Sequence, residues 1–158
     1  MNSSDTTIWL DKTEEHAWRS LLQMHTQLMA RLGRQLQTDS ELSMADFDVL
    51  VQLTDIADGR LRVLELAKAL RWEKSRLSHH LGRMVGRGLI LREDCPNDRR
   101  GSFVAITPLG REAIEAAAPR HVETVRRLVF DGLTPEQVAT LAALSDEVLR
   151  RLAETSAA

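Results

Sequence analysis

The sequence predicts a mainly α-helical chain that contains a single β-hairpin. Apolar residues recur at helical spacing over long stretches at both ends of the chain. In the middle, a short helical stretch, a tight connection and a second helical stretch are followed directly by two β-rich runs. This order is that of a winged helix-turn-helix. Because the long N- and C-terminal helices carry more apolar surface than so small a unit can bury, we expect them to form a dimerisation region.

The composition is typical of a soluble cytoplasmic domain. The chain has 158 residues, of which 43% are hydrophobic, enough for a real core. No apolar run approaches the roughly 18 to 20 residues of a membrane span, and the polar N-terminus lacks the features of a secretory signal. A single cysteine, Cys95, can form no internal disulfide, so nothing indicates an oxidising compartment. We expect no membrane partner and no cofactor.

Charge is distributed unevenly along the chain. The net charge is −2, but residues 60–111 carry twelve Lys or Arg against five Asp or Glu, a local charge of +7. The rest of the chain carries −9. A basic segment inside an acidic protein indicates a polyanion-binding site, with a solvated basic face as the alternative.

The first helix is predicted over residues 14–37. Its length exceeds what a small domain needs to cover its own core, so a second subunit is the expected partner. Its apolar face, with His25 in the same register, comprises Trp18, Leu21, Leu22, Leu28, Met29, Leu32 and Leu36.

Three further helices are predicted before the hairpin. The second helix begins at Ser43, a good N-cap, with Asp46 in the first turn where the helix dipole favours an anion, and it stops at Gly59. The third helix covers residues 63–70. The fourth covers residues 74–89, and Gly88 caps its C-terminal end.

The hairpin and the last two helices follow. Residues 89–93 and 102–107 are predicted to pair around a long tip. Thr107 and Pro108 then start a helix as N-cap and first residue, and Pro119 is expected to kink it. The last helix starts at a capping box of Thr134 and Gln137, and its apolar stripe comprises Val138, Leu141, Leu144, Val148 and Leu152.

The fourth helix has the two faces expected of a recognition helix. We expect Leu77, Leu81, Met84 and Val85 to face the core. The opposite face carries arginines, small polar residues and glycines without a carboxylate, a composition that suits a major groove. Its members are Lys74 at the N-terminal end, Ser78 at the edge, and Ser75, Arg76, His79, Gly82, Arg83 and Gly86.

The hairpin tip adds a second candidate contact. In an extended arm, Asp98 and Arg100 project to the same side, so Asp98 can hold Arg100 for insertion into a minor groove. Arg99 then points towards a phosphate or solvent. We therefore divide the chain into a DNA-binding lobe, residues 41–107, and a helical dimerisation region, residues 1–40 and 108–158.

Other function classes have less support. The sequence has no phosphate-binding glycine loop, no nucleophile elbow and no HExxH or paired-cysteine metal motif, so we expect no enzyme and no metal site. Two alternatives stay open. One is a winged-helix protein-interaction module without DNA binding, and the other is a redox-responsive regulator that uses Cys95.

Residues 61–112 resemble the MarR family of transcriptional regulators. The resemblance rests on the leucine-rich third helix, the serine-containing fourth helix, "RGL" at residues 87–89, "DRR" at 98–100 and "ITPLG" at 106–110. It implies a ligand-responsive repressor, a homodimer that binds a near-palindromic operator on double-stranded DNA. The implied contacts are Lys74, Ser75, Arg76, Ser78, His79 and Arg83, with Arg100 braced by Asp98.

The resemblance also implies a pocket for a small aromatic ligand between the dimerisation helices and the DNA-binding lobe. Trp18 and His25 are the candidate pocket residues, with core or interface packing as the alternative. Many relatives have Thr and Arg where this chain has Ser78 and His79, which bears on the operator sequence rather than on the mode of binding. The peroxide-sensing branch of the family uses a cysteine near the N-terminus, and this chain has none there.

Overall fold

The computed structural model describes residues 7–94 and 101–155. Within these ranges the chain is mainly helical, with a small antiparallel sheet of order β1-β3-β2, which confirms the predicted fold class. The elements are α1 (Lys12–Ser40), α2 (Met44–Thr54), β1 (Arg60–Arg62), α3 (Val63–Leu70), α4 (Lys74–Gly86), β2 (Ile90–Glu93), β3 (Phe103–Ile106), α5 (Pro108–Val125), a π-helical turn (Arg126–Phe130) and α6 (Pro135–Thr155).

Local hydrogen bonds fix where the helices begin. The predicted capping box of α2 is present, since Asp46 N donates to Ser43 Oγ at 3.0 Å and Ser43 N donates to Asp46 Oδ2 at 2.9 Å. The capping box of Thr134 and Gln137 is present in the same way. Thr107 caps α5, with Pro108 in its first turn. Such caps each contribute about 1 kcal/mol, which is why these boundaries are legible in the sequence.

The strand β1 was not predicted from the sequence. Gly59 was predicted to stop α2, but the helix already ends at Thr54, and Gly59 with φ of +63° turns the chain into β1. Three residues alternating Arg, Leu, Arg give no strand signal of their own. The strand exists because it pairs with β3, Leu61 opposite Val104.

The core lies between the helices of the lobe and the sheet. Its fully buried side chains include Leu50 and Leu53 of α2, Leu66 of α3, Leu81 of α4 and Val104 of β3. The close approach of α5 to β2 depends on Gly110, because a Cβ there would lie 2.0 Å from the carbonyl oxygen of Leu89. This core fixes how α4 is presented to solvent.

The outer helices are covered only in part. In α1 the buried side chains are Leu32 and Leu36, and none of the described residues of α6 is buried. Pro119 lies inside the α-helix α5, and a π-helical turn follows at Arg126–Phe130. The kink expected at Pro119 stays a prediction. No helix in the described part of the chain is both long and apolar enough to cross a membrane.

Candidate nucleic-acid interface

The inner face of α4 anchors it to the core. Leu77, Leu81 and Met84 are fully buried, as predicted. The prediction for Val85 was wrong, since its side chain is 38% exposed. Val85 lies about 100° around the helix from Met84, in the last turn, where it falls beside the buried stripe rather than within it.

The outer face of α4 presents the predicted contact residues together. Lys74, Ser75, Arg76, His79 and Arg83 are exposed, and Ser78 is half-buried at the edge. All thirteen residues of α4 are described, and none is acidic. Guanidinium groups can bridge the two acceptors of a guanine, and hydroxyl or imidazole groups can reach bases or phosphates. The surface therefore has the shape and chemistry to lie in a major groove.

Both arginines of this face are held by aromatic groups at the edge of the core. The guanidinium carbon of Arg76 lies 4.4 Å from the ring centroid of Trp72, a cation–π contact. Arg83 Nη2 donates to His80 Nδ1 at 2.9 Å. The rings of Trp72 and His80 meet edge to face with centroids 5.6 Å apart. Trp72 and His80, which lie at the edge of the core, thus orient Arg76 and Arg83 on the exposed face of α4.

A buried carboxylate ties α4 to α2. Asp46 Oδ1 lies 3.0 Å from His80 Nε2, and Asp46 Oδ2 accepts from Arg87 Nη1 at 2.7 Å. The contact with His80 is not aligned as a hydrogen bond, so its attraction is mainly electrostatic. Arg87 Nη2 also donates to the carbonyl oxygen of Glu41 at 2.7 Å. Asp46 thereby joins both the middle of α4 and the residue after it to the start of α2.

Burial and the neighbouring hydrogen bonds and charges shift the pKa values of Asp46 and His80. Burial on its own raises the pKa of Asp46, but hydrogen bonds from Ser43 and Arg87, together with the charge of Arg87, lower it overall. Burial lowers the pKa of His80, an effect that Asp46 opposes and Arg83 reinforces. Asp46 is therefore ionised and His80 neutral at pH 7.

Arg92 joins the hairpin to the recognition helix, a role that the sequence reading did not assign. Its Nε donates to Ser102 Oγ at 3.0 Å and its Nη1 donates to Ser78 Oγ at 3.2 Å. The Ser78 hydroxyl, a predicted contact, thus accepts a bond from β2. Because Ser78 and Arg92 are 14 residues apart, no local pattern could have revealed the link.

The base of the hairpin carries two further arginines. Arg60 and Arg62 of β1 lie over the Phe103 ring, at 3.9 Å and 4.6 Å from its centroid, and Arg60 Nη2 pairs with Glu93 at 2.7 Å. Both arginines belong to the basic segment of residues 60–111, but their place in the fold was not predicted. The ion pair with Glu93 offsets the charge of Arg60, and both arginines pack the base of the hairpin against Phe103.

The tip of the hairpin lies outside the described residues. Strands β2 and β3 pair from Ile90 opposite Ile106 to Glu93 opposite Phe103, which confirms the predicted hairpin. Asp98, Arg99 and Arg100, and with them Cys95, fall in the part that is not described. The bracing of Arg100 by Asp98 stays a prediction.

The two candidate ligand residues lie on the exposed half of α1. Trp18 lines a pocket of about 550 Å³ together with Trp9, Leu10 and Leu22. His25 is exposed on the same helix, outside the residues that line this pocket. A larger groove of about 1160 Å³ lies between α1 and the π-helical turn with α6. The structure does not bring Trp18 and His25 together in one cavity.

Comparison with known proteins agrees with this geometry. The model of the MarR family matches residues 42–102. The multiple antibiotic resistance protein MarR of Salmonella typhimurium is 30% identical over 129 residues, which cover 82% of this chain and 88% of that protein.

Two solved structures from Streptomyces coelicolor are similar over nearly the whole chain. AbsC, a MarR family transcriptional regulator, superposes with a TM-score of 0.87 at 38% identity, covering 94% of this chain and 99% of that one. Sco3205, a MarR family transcriptional regulator in complex with DNA, superposes with a TM-score of 0.86 at 42% identity, covering 91% and 94%. The chain belongs to the MarR family of transcriptional regulators.

Proposed function

We propose that the protein is a ligand-responsive repressor that binds double-stranded DNA as a homodimer on a near-palindromic operator. The observation that carries the proposal is the outer face of α4, free of carboxylates, with Arg76 and Arg83 held from beneath. The similar protein Sco3205 was solved in complex with DNA, which supports DNA binding by this chain. The operator would be read by two such helices in successive major grooves.

Individual contacts follow from the position of each side chain. Arg76, His79 and Arg83 are the candidates for base edges, while Lys74 and Ser75 sit at the helix N-terminus, where phosphates are favourably bound. Ser78 and Arg99 are assigned to phosphates. Arg100, braced by Asp98, is assigned to the flanking minor groove on the strength of the family resemblance.

Exposed apolar side chains on α1 and α6 support the homodimer. Trp18 and Leu21 are each 51% exposed, and Leu144 is 63% exposed. Val148 and Leu152 are each 56% exposed as well, so the two helices that we assign to dimerisation carry apolar side chains that a second copy of the chain would cover. A two-fold axis through this surface would relate two copies of α4 and produce a near-palindromic site.

The effector is proposed to be a small aromatic molecule bound next to the dimerisation helices. The groove between α1 and α6 has the volume for one, and its lining includes Leu28, Leu141 and Arg31. Trp18 and His25 stay the sequence-based candidates for contacts. Binding that shifts one lobe relative to the other would release the operator.

A gel shift on the intergenic DNA beside the protein's own gene tests the proposal. At about 50 mM salt we expect a specific complex, and at about 200 mM salt a loss of affinity of at least tenfold, because bound phosphates release counterions. The double variant Arg76→Ala with Arg83→Ala should lose specific binding. The matched control Arg120→Ala removes an exposed arginine of α5 and should bind like the wild type.

Two outcomes would overturn the proposal. One is the absence of binding to any duplex, which would favour a protein-interaction module. The other is binding that does not respond to salt.

A further inference from the structure

His80 is buried beneath the exposed face of α4, and each of its ring nitrogens faces a charged group. Nδ1 accepts from Arg83 at 2.9 Å, and Nε2 faces Asp46 at 3.0 Å. The edge of the Trp72 ring closes one side of the imidazole. The ring therefore connects a buried carboxylate to an arginine that stands on the surface.

This arrangement requires one protonation state. An arginine can only donate, so Nδ1 must carry a lone pair. The ring proton then lies on Nε2, directed to the side of the Asp46 carboxylate. His80 supports Arg83 only as a neutral imidazole of this tautomer.

We propose that His80 is a positioning residue for DNA recognition, which sets the direction in which Arg83 leaves α4 and thereby the discrimination between base sequences. The inference rests on the proposed function, in which Arg83 reads a base. Asp46 and Arg87 act indirectly: Asp46 holds the imidazole in place, and Arg87 holds Asp46. An arginine held before binding loses less conformational freedom on meeting a guanine, and a bidentate contact depends on its direction.

Acid should abolish this support. The charged groups that face His80 are Asp46 from α2 and Arg76 and Arg83 from its own helix, while Arg87 acts through Asp46. Once protonated, Nδ1 donates instead of accepting, and the imidazolium repels Arg83. Burial lowers the pKa of His80, so the change falls below the ordinary histidine value of about 6.5.

Two substitutions separate the positioning role from a structural one. In His80→Asn the amide oxygen can take the place of Nδ1 and still accept from Arg83, but the side chain is too short to reach Asp46. In His80→Gln the amide nitrogen can take the place of Nε2 and still reach Asp46, but no acceptor remains at the Nδ1 position. A structural role predicts that Gln is the milder change, whereas positioning predicts that Asn is.

The probe is a duplex selected by the full-length wild-type protein from a random-sequence pool, compared with the same duplex scrambled in both half-sites. The readout is the ratio of the two dissociation constants. We expect His80→Gln to reduce this ratio about tenfold and His80→Asn to keep most of it. In an Arg83→Ala background, His80→Gln should have no further effect. Circular dichroism and binding to the scrambled duplex report that each variant is folded.

The pH profile is the second readout. As the pH is lowered from about 7.5 through and below the ordinary histidine pKa of about 6.5, the wild-type ratio should fall. The ratio of His80→Asn should fall less, because only the wild type loses its acceptor for Arg83. The control His121→Gln removes another histidine of lowered pKa, which bonds to Gln35 of α1 rather than to a residue of α4, and it should show the wild-type fall. A His80→Asn ratio at or below that of His80→Gln, additive effects with Arg83→Ala, or a wild-type ratio independent of pH would each overturn the inference. A wild-type protein that selects no sequence would overturn the proposed function itself.

Discussion

Arg87, which follows α4, donates to the buried carboxylate of Asp46, which begins α2, although 41 residues separate them. The carboxylate also completes the capping box with Ser43 and attracts His80. One side chain thus starts a helix and docks the recognition helix onto it. The orientation of α4 depends on this link as well as on its apolar face.

Asp46→Asn should therefore destabilise the fold. The amide can still accept from the Ser43 backbone, but the attraction to Arg87 and His80 is lost. Because Arg87 is 44% exposed, its share is screened, and we expect a loss of about 2 kcal/mol in the free energy of unfolding. Urea denaturation at pH 7 and fixed protein concentration measures it.

Asp48→Asn is the matched control, two residues further along α2. Burial raises the pKa of Asp48, with the charge of His121 opposing it, so its ionised form is a cost rather than a gain. We expect a neutral or slightly stabilising effect. Equal losses for the two variants would contradict the role given to Asp46.

The stability of the fold should decline in mild acid. Burial lowers the pKa values of His80 and His121, so the unfolded chain binds more protons below about pH 6.5. Stability is therefore lost as the pH falls from about 6.5 through the folded pKa values, by at most about 1.4 kcal/mol per pH unit for each histidine. The pKa of Asp46 is lowered as well, but its share is lost only below about pH 4.

Urea midpoints at about pH 7.5, 6.5 and 5.5 test the decline. The His121→Gln variant should have a shallower decline than the wild type, because one of the two titrating groups is gone. A stability that rises on acidification in this range would show that His80 and His121 are not held neutral.

What the sequence predicted correctly is local, and what it missed is not. The bounds of α3 and the capping boxes depend on residues within four positions of one another, and they were legible. The strand β1 and the bond between Arg92 and Ser78 exist only once distant segments meet. Likewise, the spacing along α4 was enough to predict its contact residues. It could not predict that Trp72 and His80 hold Arg76 and Arg83. Helical periodicity also predicted Val85 to be buried, but Val85 lies at the margin of the apolar stripe and is partly exposed.

Gly82→Ala should raise stability and weaken DNA binding at the same time. A Cβ at Gly82 meets nothing within 4 Å, so alanine should gain about 0.5 to 1 kcal/mol of helix stability. The added methyl group stands on the groove-facing surface, where the proposed function needs close approach. Thermal unfolding and the dissociation constant of the selected duplex are the two measurements.

Gly132→Ala provides the control for this pair of effects. A Cβ at Gly132 also meets nothing within 4 Å, but Gly132 lies between the π-helical turn and α6, outside the lobe that we assign to DNA binding. Its affinity for DNA should equal that of the wild type. If Gly82→Ala binds as tightly as Gly132→Ala, the exposed face of α4 does not approach DNA closely.

Arg92→Ala should loosen the hairpin without unfolding the lobe. The variant loses the bond to Ser78, which is half-buried, and the bond to Ser102, which is buried, so the cost in stability should be about 1 to 2 kcal/mol. The free energy of binding to the selected duplex should weaken by about 1 to 2 kcal/mol, the value of about one lost contact. The reason is that the hairpin and the helix no longer approach DNA as one unit. Arg92→Lys keeps the charge but not the forked geometry, and it should behave like Arg92→Ala. A lysine variant that binds the selected duplex as tightly as the wild type would show that the positive charge at position 92 is sufficient.

Leu144→Glu should dissociate the homodimer. Leu144 is 63% exposed on α6 and lines the groove against α1, so a carboxylate there would be buried without a partner in the dimer. Sedimentation velocity should show a folded monomer with much weaker operator binding, because only one half-site is engaged at a time. The control Leu91→Glu changes a 56% exposed leucine of β2, away from both outer helices, and should leave the dimer intact. A Leu144→Glu protein that sediments as the wild type does would remove α6 from the dimer interface.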